Sequence, residues 1–312
     1  MITVFFLGGT ISMATDASGG AVATLGASDL LPSVPGVDVT GVDFRRMPSA
    51  SLGFDDLLAL LADARAAAGP VVIVQGTDTI EETAFFLDLL WDLDEPVVVT
   101  GAMRTPEQPG ADGPANLVAA ISVAASEDCR GLGALVVMDD QIHAARYVSK
   151  RHTSSTSAFL SPGYGPLGHV VEGSVRIGMR VVRRPVLPVP SAIDVRVAIV
   201  PIGLGEDGYF LPSADRADGV VVAGVGGGHV PERLADRLGE LAASVPVVLA
   251  SRTGSGPVLT ATYGAVGAEI DLIARGLVPA GELDPYKARL LLAILLAGNA
   301  DGHTIAAEFS RR

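Results

Sequence analysis

Short, fully apolar runs alternate with longer amphipathic segments along the first half of the chain, and this rhythm limits the possible folds more than any other property of the sequence. The apolar runs include residues 2–7 (ITVFFL), 70–75 (PVVIVQ) and 96–101 (PVVVTG), and helical patterns cover 54–69 and 79–91 between them. Strands that are apolar on both faces are typical of parallel sheets covered by helices on both sides. We therefore predict an α/β protein whose larger N-terminal part is a doubly wound, mostly parallel sheet.

The rhythm breaks in the middle of the chain and then resumes. Residues 143–180 mix polar and apolar positions, as antiparallel strands and hairpins do, and residues 182–195 carry three prolines. A chain of 312 residues also exceeds a typical single domain. We predict an N-terminal α/β domain over 1–181 that carries the catalytic residues, a linker over 182–195, and a smaller C-terminal α/β domain over 196–312.

Charge and hydropathy exclude several classes of protein. The chain has 22 Lys and Arg against 35 Asp and Glu, and this net charge of −13 disfavours nucleic acid and anionic lipid as partners. The longest apolar run, residues 290–297, is far shorter than the roughly 20 residues of a membrane span. No basic segment precedes an apolar stretch at the N-terminus, and the single Cys129 excludes a disulfide framework. We therefore expect a cytoplasmic protein that does not bind membranes.

The first two of these strands end in small and polar residues. Gly8, Gly9 and Thr10 follow the first strand, and Gly76, Thr77 and Asp78 follow the second, where open parallel sheets bind ligands. Two glycines permit close approach of the backbone, and the next residue presents a hydroxyl. Taken alone, this first stretch is better explained by a turn hydroxyl bonded to its own backbone, because three residues are too few to be specific.

The second stretch runs into a helix. Thr79 and Glu82 have the spacing of a capping box, so we expect both to serve the helix start. Thr77 and Asp78 are then left beside the positive end of the helix, where structural and functional roles are equally supported. Lys150 is a further candidate, because a buried lysine can act as a base toward a threonine hydroxyl.

Nucleotide and metal sites find no support in the sequence. The first strand is not followed by G-x-G-x-x-G, no P-loop motif occurs, and the histidines lack the spacing of a zinc site. A G-x-S-x-G nucleophile motif is also absent. We therefore expect chemistry that needs neither a metal nor a cofactor.

Taken together, the segments FLGGTIS, VVIVQGTDTIEETAFFL, PVVVTGAMR, DGPANL, VSKRHTSS and YGPLG resemble the bacterial L-asparaginase and glutaminase-asparaginase family of threonine-nucleophile amidohydrolases. The resemblance implies asparagine catabolism: hydrolysis of the side-chain amide of asparagine to aspartate and ammonia, without a cofactor. It implies that Thr10 attacks the amide carbon to form an acyl-enzyme. Thr77, Asp78 and Lys150 would form a hydrogen-bonded set, and Asp78 would also hold the α-ammonium group of the substrate.

The resemblance also implies substrate contacts and a homotetramer built as a dimer of dimers. Backbone N–H groups at Gly76 and Thr77 could stabilise the oxyanion. Either Ser49 or Ser51 would hold the substrate carboxylate. His229 stands where the family has an asparagine that a second subunit lends to the site. The apolar segment 285–298 exceeds what one helix face would bury in a small monomer, so burial in its own domain and burial between copies remain alternatives.

One departure concerns the group that assists the nucleophile. The family's flexible loop often carries a tyrosine, whereas residues 12–25 of this chain contain none. Thr15, Ser18, Thr24 or Tyr263 would have to replace it. Alternative functions on the same fold are a glutaminase-asparaginase, a D-asparaginase, an amide-releasing subunit of a transamidation complex and a non-catalytic amino-acid sensor.

Overall fold

The structure is a computed structural model that describes residues 1–15, 21–31, 34–67 and 69–312, with the side chains of 14, 15 and 21–23 left out. The chain divides into two compact units, Met1–Leu187 and Pro188–Arg312. Ser18 therefore lies outside the described residues, and of Thr15 only the backbone is described.

Unit 1 is built on one large mixed sheet. The strands of unit 1, of which β2 and β3 form one separate pair and β9 and β10 another, are β1 (Ile2–Phe6), β2 (Met13–Thr15), β3 (Ala21–Ala23), β4 (Val39–Asp43), β5 (Val71–Val74), β6 (Val97–Thr100), β7 (Ala134–Met138), β8 (Gln141–Ala144), β9 (Ser149–Lys150), β10 (Phe159–Leu160), β11 (Gly168–Val171) and β12 (Ser174–Ile177). Its α-helices are α1 (Ala27–Leu30), α2 (Phe54–Ala66), α3 (Ile80–Leu90) and α4 (Gly113–Ala125). Eight strands pair in the order β12-β11-β8-β7-β6-β5-β1-β4.

The centre of this sheet is parallel and fully buried. Strands β4, β1, β5, β6 and β7 run parallel, and every residue of β5 and β6 is buried. Helix α4 packs on the face that carries Val72, Val74 and Val98, which share one apolar core with Leu117 and Ile121 of the helix. Burial on both faces explains why these strands are apolar at every position. The predicted α/β fold with a mostly parallel sheet is confirmed.

The irregular region after β7 adds antiparallel strands at one edge. Strand β8 pairs antiparallel with β7, and β11 and β12 form a hairpin that continues the sheet. The antiparallel character predicted for residues 143–180 is therefore confirmed. Strands β9 and β10 form a separate antiparallel pair, in which Lys150 lies opposite Phe159.

Unit 2 contains a smaller sheet that is parallel throughout its described strands. These are β13 (Val197–Pro201), β14 (Gly219–Gly224), β15 (Val247–Ser251) and β16 (Val278–Pro279), in that spatial order. The helices are α5 (Glu232–Ala242), α6 (Glu269–Ala274), α7 (Pro285–Ala297) and α8 (Gly302–Ser310).

The long C-terminal apolar helix is buried within its own unit. Helix α7 begins with Pro285 after Asp284, whose carboxylate accepts from the N–H groups of Tyr286 and Lys287 at 2.9 and 3.0 Å. Leu290 to Leu295 are all buried, and the helix packs against β13, β14 and β15. Its apolar surplus is therefore explained by burial inside unit 2, and it gives no support for an interface between copies.

None of the helices in the described parts of the chain is long and apolar enough to cross a membrane.

Candidate active site

Two neighbouring strands of unit 1 bring the first two polar loops together. Strands β1 and β5 are parallel, with Phe6 opposite Val74, so both end at the same edge of the sheet. Gly9 has a φ of +94°, and a Cβ atom there would lie 2.2 Å from the backbone nitrogen of Gly76. Only glycine permits this contact, so the glycine before Thr10 is what lets the two loops touch.

Thr10 begins a short 3-10 turn, Thr10–Ser12. A hydroxyl bonded to the nearby backbone would have been a purely structural reason for a threonine in this turn. That bond is made by Ser12 instead, whose hydroxyl donates to the carbonyl of Gly9 at 2.8 Å. Within the described part of the chain, no side chain hydrogen-bonds to the Thr10 hydroxyl, and the residue is half-buried. Thr10 therefore lies at the loop contact, and its hydroxyl is not bonded to another described side chain.

Lys150 joins the second loop from a distant part of the chain. Its Nζ donates to Thr77 Oγ1 and to Asp78 Oδ1, both at 2.9 Å. The Lys150 side chain is 15% exposed and that of Asp78 is 68% exposed, whereas Thr77 is buried. The structure thus brings together the hydroxyl, carboxylate and amine that the sequence singled out, with the carboxylate facing solvent.

The capping box predicted for Thr79 and Glu82 is wrong with respect to Thr79. Thr79 stands at the N-cap of α3, but its side chain makes no bond to the helix N-terminus. Its hydroxyl instead donates to the carbonyl of Ser49 at 3.1 Å and accepts from Gln75 Nε2 at 3.3 Å. A long-range partner has replaced the local one, and Thr79 ties the second loop to the segment around Ser49.

The two serine candidates for carboxylate binding have different surroundings. Ser49 and Ser51 are the first and last residues of one 3-10 turn. The Ser49 residue is only 2% exposed, whereas Ser51 lies at the surface. A Cβ atom on Gly76 would lie 2.9 Å from Ser49 Oγ, which has no hydrogen-bond partner among the described residues. The buried Gln75 Oε1 is likewise without a described partner. Since buried polar atoms are normally paired, unsatisfied hydrogen-bonding capacity is concentrated beside Gly76.

A clamp that sequence reasoning did not identify holds the loop after β6. The Asp112 carboxylate accepts from the N–H groups of Met103 and Arg104, each at 2.9 Å, and Asn116 donates to the carbonyl of Gly101 at 3.0 Å. A Cβ atom on Gly101 would lie 3.3 Å from Thr77 Cγ2. The clamp therefore supports Thr77 from behind. Its only sequence signal is the motif DGPANL, which contributes to the family resemblance but indicates no role for Asp112 or Asn116.

The hydroxyl groups considered as helpers of Thr10 belong to different parts of the chain. Thr24 is exposed, and its backbone N–H donates to the carbonyl of Ser12 at 2.9 Å. Tyr263 belongs to unit 2, where its ring meets the His229 ring edge-on with centroids 5.1 Å apart. Each of them stays a candidate by sequence, together with Thr15 and Ser18.

His229 is part of a closed polar cluster in unit 2. Its Nε2 lies 3.0 Å from Glu269 Oε2, and Glu269 Oε1 accepts from the N–H groups of Thr262 and Tyr263 at 2.9 and 2.6 Å. Glu269 is fully buried, and burial alone would raise the pKa of its carboxyl. Hydrogen bonds from the Tyr263, Glu269 and Thr262 amides and from His229 outweigh burial, so the pKa is lowered and the carboxylate is favoured.

Among residues 1–15, 21–31, 34–67 and 69–312, no group of three or more His, Cys, Asp or Glu side chains could hold a metal ion.

A two-domain α/β fold that carries a threonine, aspartate and lysine set at the carboxyl edge of a parallel sheet defines the class of this protein. The chain belongs to the asparaginase family: the N-terminal asparaginase model matches residues 1–183, and the glutaminase/asparaginase C-terminal domain model matches residues 196–309.

Relatives resemble the chain along its whole length. A probable L-asparaginase of Deinococcus radiodurans is 36% identical over 319 residues, covering 99% of this chain and 97% of the relative. A glutaminase-asparaginase of Pseudomonas fluorescens biotype A is 31% identical over 330 residues, with 99% and 89% covered. The crystal structure of a probable cytoplasmic L-asparaginase from Campylobacter jejuni superposes with a TM-score of 0.88 at 30% identity, covering 100% of this chain and 99% of that one.

Proposed function

We propose that this protein is an amidohydrolase that converts L-asparagine to L-aspartate and ammonia through an acyl-enzyme on Thr10. The observation that carries the proposal is the position of Lys150, whose Nζ holds Thr77 and Asp78 at 2.9 Å beside the loop of Gly9 and Thr10. The hydroxyl of Thr10, the amine of Lys150 and the carboxylate of Asp78 would provide a nucleophile, a proton carrier and a substrate ligand without a metal. Family membership supports the reaction class.

Thr10 rather than Thr77 is the proposed nucleophile, because Thr10 is half-buried whereas Thr77 is buried. Its oxygen attacks the side-chain amide carbon, the C–N bond breaks, and the departing nitrogen leaves as ammonia after gaining a proton. Water then cleaves the resulting ester and releases aspartate. Thr77 is buried and already accepts a hydrogen bond from Lys150, which suits a relay of protons better than attack on a substrate.

The remaining polar groups fit an amino-acid substrate. Asp78 uses one oxygen for Lys150 and is 68% exposed, so its other oxygen is available to an α-ammonium group. The unpaired Ser49 Oγ is the proposed donor to the substrate carboxylate, in preference to the exposed Ser51. Backbone N–H groups of Gly76 and Thr77 are the proposed oxyanion donors.

We extend the proposal to a cytoplasmic homotetramer in which a second copy lends residues to each site. His229 is the proposed contributor, since it stands where the family has an asparagine and the Glu269 carboxylate orients its ring. The Campylobacter relative is named a probable cytoplasmic L-asparaginase. Light scattering after gel filtration tests the oligomer, and a monomer with full activity would contradict it.

The proposed reaction is tested by ammonia release from the purified protein. We expect the highest kcat/KM with L-asparagine and lower values with L-glutamine and D-asparagine. The Pseudomonas relative is named for both L-amides, so a higher value with L-glutamine would make the protein a glutaminase of the same fold. Calorimetric binding of aspartate without ammonia release from any amide would overturn hydrolysis and favour an amino-acid sensor.

A further inference from the structure

The position of Lys150 depends on a short and separate piece of structure. Strand β9 has two residues, and in the described structure it pairs with β10 rather than with the large sheet. The backbone N–H of Lys150 donates to Glu81 Oε2 at 3.0 Å, although the two residues are 69 positions apart in the sequence. Lys150 is therefore attached by its main chain to helix α3 and by its side chain to the turn Thr77–Thr79 that precedes this helix.

One continuous segment holds both ends of this lysine. Thr77 and Asp78 receive the Nζ, and Glu81 receives the backbone N–H, only three residues further along the chain. Glu81 is the second residue of α3, directly after the turn Thr77–Thr79. With the main chain and the amine both bound to the segment 77–81, the direction from which the amine approaches Thr77 is set.

We propose that Glu81 is a positioning residue for this reaction: by holding the Lys150 main chain, its carboxylate sets the distance and angle at which Nζ meets Thr77. The inference rests on the proposed function, because it assigns Lys150 and Thr77 to catalysis. A carboxylate suits the task, since it lies in the first turn of a helix and accepts a charge-assisted hydrogen bond.

Two conservative substitutions separate reach from charge. Glu81→Gln keeps the length of the side chain and an acceptor oxygen but removes the charge, whereas Glu81→Asp keeps the charge and shortens the reach by one methylene. We expect Glu81→Asp to lower kcat about 10- to 100-fold, as misplaced catalytic groups do, with KM within about threefold of the wild type. Glu81→Gln should stay within about fivefold, because a neutral acceptor retains roughly half the strength of the bond.

The matched control is Glu127→Asp, which makes the same change at a side chain that is 87% exposed and should leave kcat unchanged. If Glu81→Gln loses turnover while Glu81→Asp keeps it, the charge of Glu81 matters rather than its hold on Lys150, and the proposal is overturned. Wild-type kcat in both variants with a lower melting temperature would make Glu81 a purely structural residue.

A second readout does not depend on turnover. Lys150 and Lys287 are the only lysines in the sequence, and Lys287 is 1% exposed. We expect Glu81→Asp to accelerate acetylation of Lys150 by N-hydroxysuccinimide acetate, measured by peptide mass spectrometry, several-fold relative to the wild type and to Glu81→Gln. Acetylation of Lys287 should stay slow in all three. An unchanged Lys150 rate in Glu81→Asp would overturn the proposal even if the wild type releases no ammonia, whereas faster labelling in an inactive protein would support the positioning and refute only the proposed reaction.

Discussion

The sheets of the two units both end in glycine-rich loops, yet the polar groups at these two edges are in opposite states. In unit 1 the Asp78 side chain is 68% exposed and Ser49 Oγ is buried without a partner among the described residues. In unit 2 the fully buried Glu269 carboxylate is satisfied by two backbone N–H groups and by His229. The first edge has a buried polar atom without a described partner, whereas the Glu269 carboxylate at the second edge has its hydrogen bonds within unit 2.

This difference separates residues that meet a ligand from residues that hold structure. Buried polar atoms in folded proteins are nearly always paired, so the unpaired Ser49 Oγ next to Gly76 indicates a hydrogen-bonding group that is available to a ligand. A fully satisfied carboxylate stabilises the loops that donate to it. Substitutions at the unit 1 edge should therefore change turnover more than stability, whereas loss of the Glu269 carboxylate in unit 2 should lower stability as well as disturb the proposed contribution of His229.

The largest effect is expected at Thr10. Thr10→Ala removes the proposed nucleophile from a half-buried position and should lower kcat by about 10⁴-fold with little change in melting temperature. Thr40→Ala, at an exposed position on β4, is the control and should retain activity. A Thr10→Ala protein with near-normal turnover would move the chemistry to another residue.

A smaller but still large effect is expected at Lys150. Lys150→Met keeps most of the aliphatic side chain and removes the amine, so kcat should fall roughly 10²- to 10⁴-fold, the range of a lost general acid or base. Since Asp78 is mostly exposed, losing its cation should cost little stability. A pH–rate profile and kcat equal to those of the wild type would show that the lysine is only structural.

The two serines give a matched pair at the same edge. Ser49→Ala should raise KM for L-asparagine roughly 10- to 100-fold, the loss expected for a hydrogen bond to a charged group. Ser51→Ala should leave KM unchanged, because Ser51 is exposed two positions further on. Equal effects of the two substitutions, measured in steady state, would remove the assignment of the substrate carboxylate to Ser49.

At the unit 2 edge the expected effect is on stability. Glu269→Gln turns one oxygen into a donor that faces either the Thr262 and Tyr263 N–H groups or His229, so buried donors lose their acceptor. We expect the free energy of unfolding to fall by about 3 kcal/mol in urea titrations. A variant with wild-type stability would show that the hydrogen bonds of the Glu269 carboxylate do not stabilise unit 2.

The smallest effect concerns the pH dependence of stability in unit 1. Burial lowers the pKa of His143 to about 4 from its ordinary value of 6.5, while its Nδ1 contacts Ser161 Oγ at 2.9 Å. Between these pH values the unfolded chain binds more protons than the folded chain, so stability falls as the pH drops.

From pH 7 to pH 5 this histidine should account for about 2 kcal/mol of lost stability. Urea midpoints of wild type and His143→Gln, measured across that range, test the prediction. Parallel pH dependences in the two proteins would assign the loss to other groups.

Local patterns in the sequence predicted the regular structure better than the long-range contacts. The apolar runs predicted β1, β5 and β6, because burial on both faces leaves an unmistakable composition. Strand β4 was not predicted, since this edge strand is only partly buried and its composition is mixed. The capping box failed because Thr79 found a partner at Ser49, which no local pattern encodes.

The candidate site shows the same limit. The polar residues after β1 and β5 could be chosen from position alone, because parallel strands end at one edge. The contact of Lys150 with Glu81 spans 69 positions, so sequence spacing gave no indication of it. Nor could it distinguish Ser49 from Ser51, a difference that depends on how Gly76 packs.

The most direct test of covalent catalysis by Thr10 is to locate the acyl group. Turnover with L-asparagine is quenched in acid, and the tryptic peptides are examined by mass spectrometry. Thr10 and Thr77 fall in different peptides, residues 1–45 and 66–104. We predict an aspartyl ester on the peptide that contains Thr10, absent from Thr10→Ala. Ammonia release accompanied by an ester on the Thr77 peptide would contradict the assignment of the nucleophile.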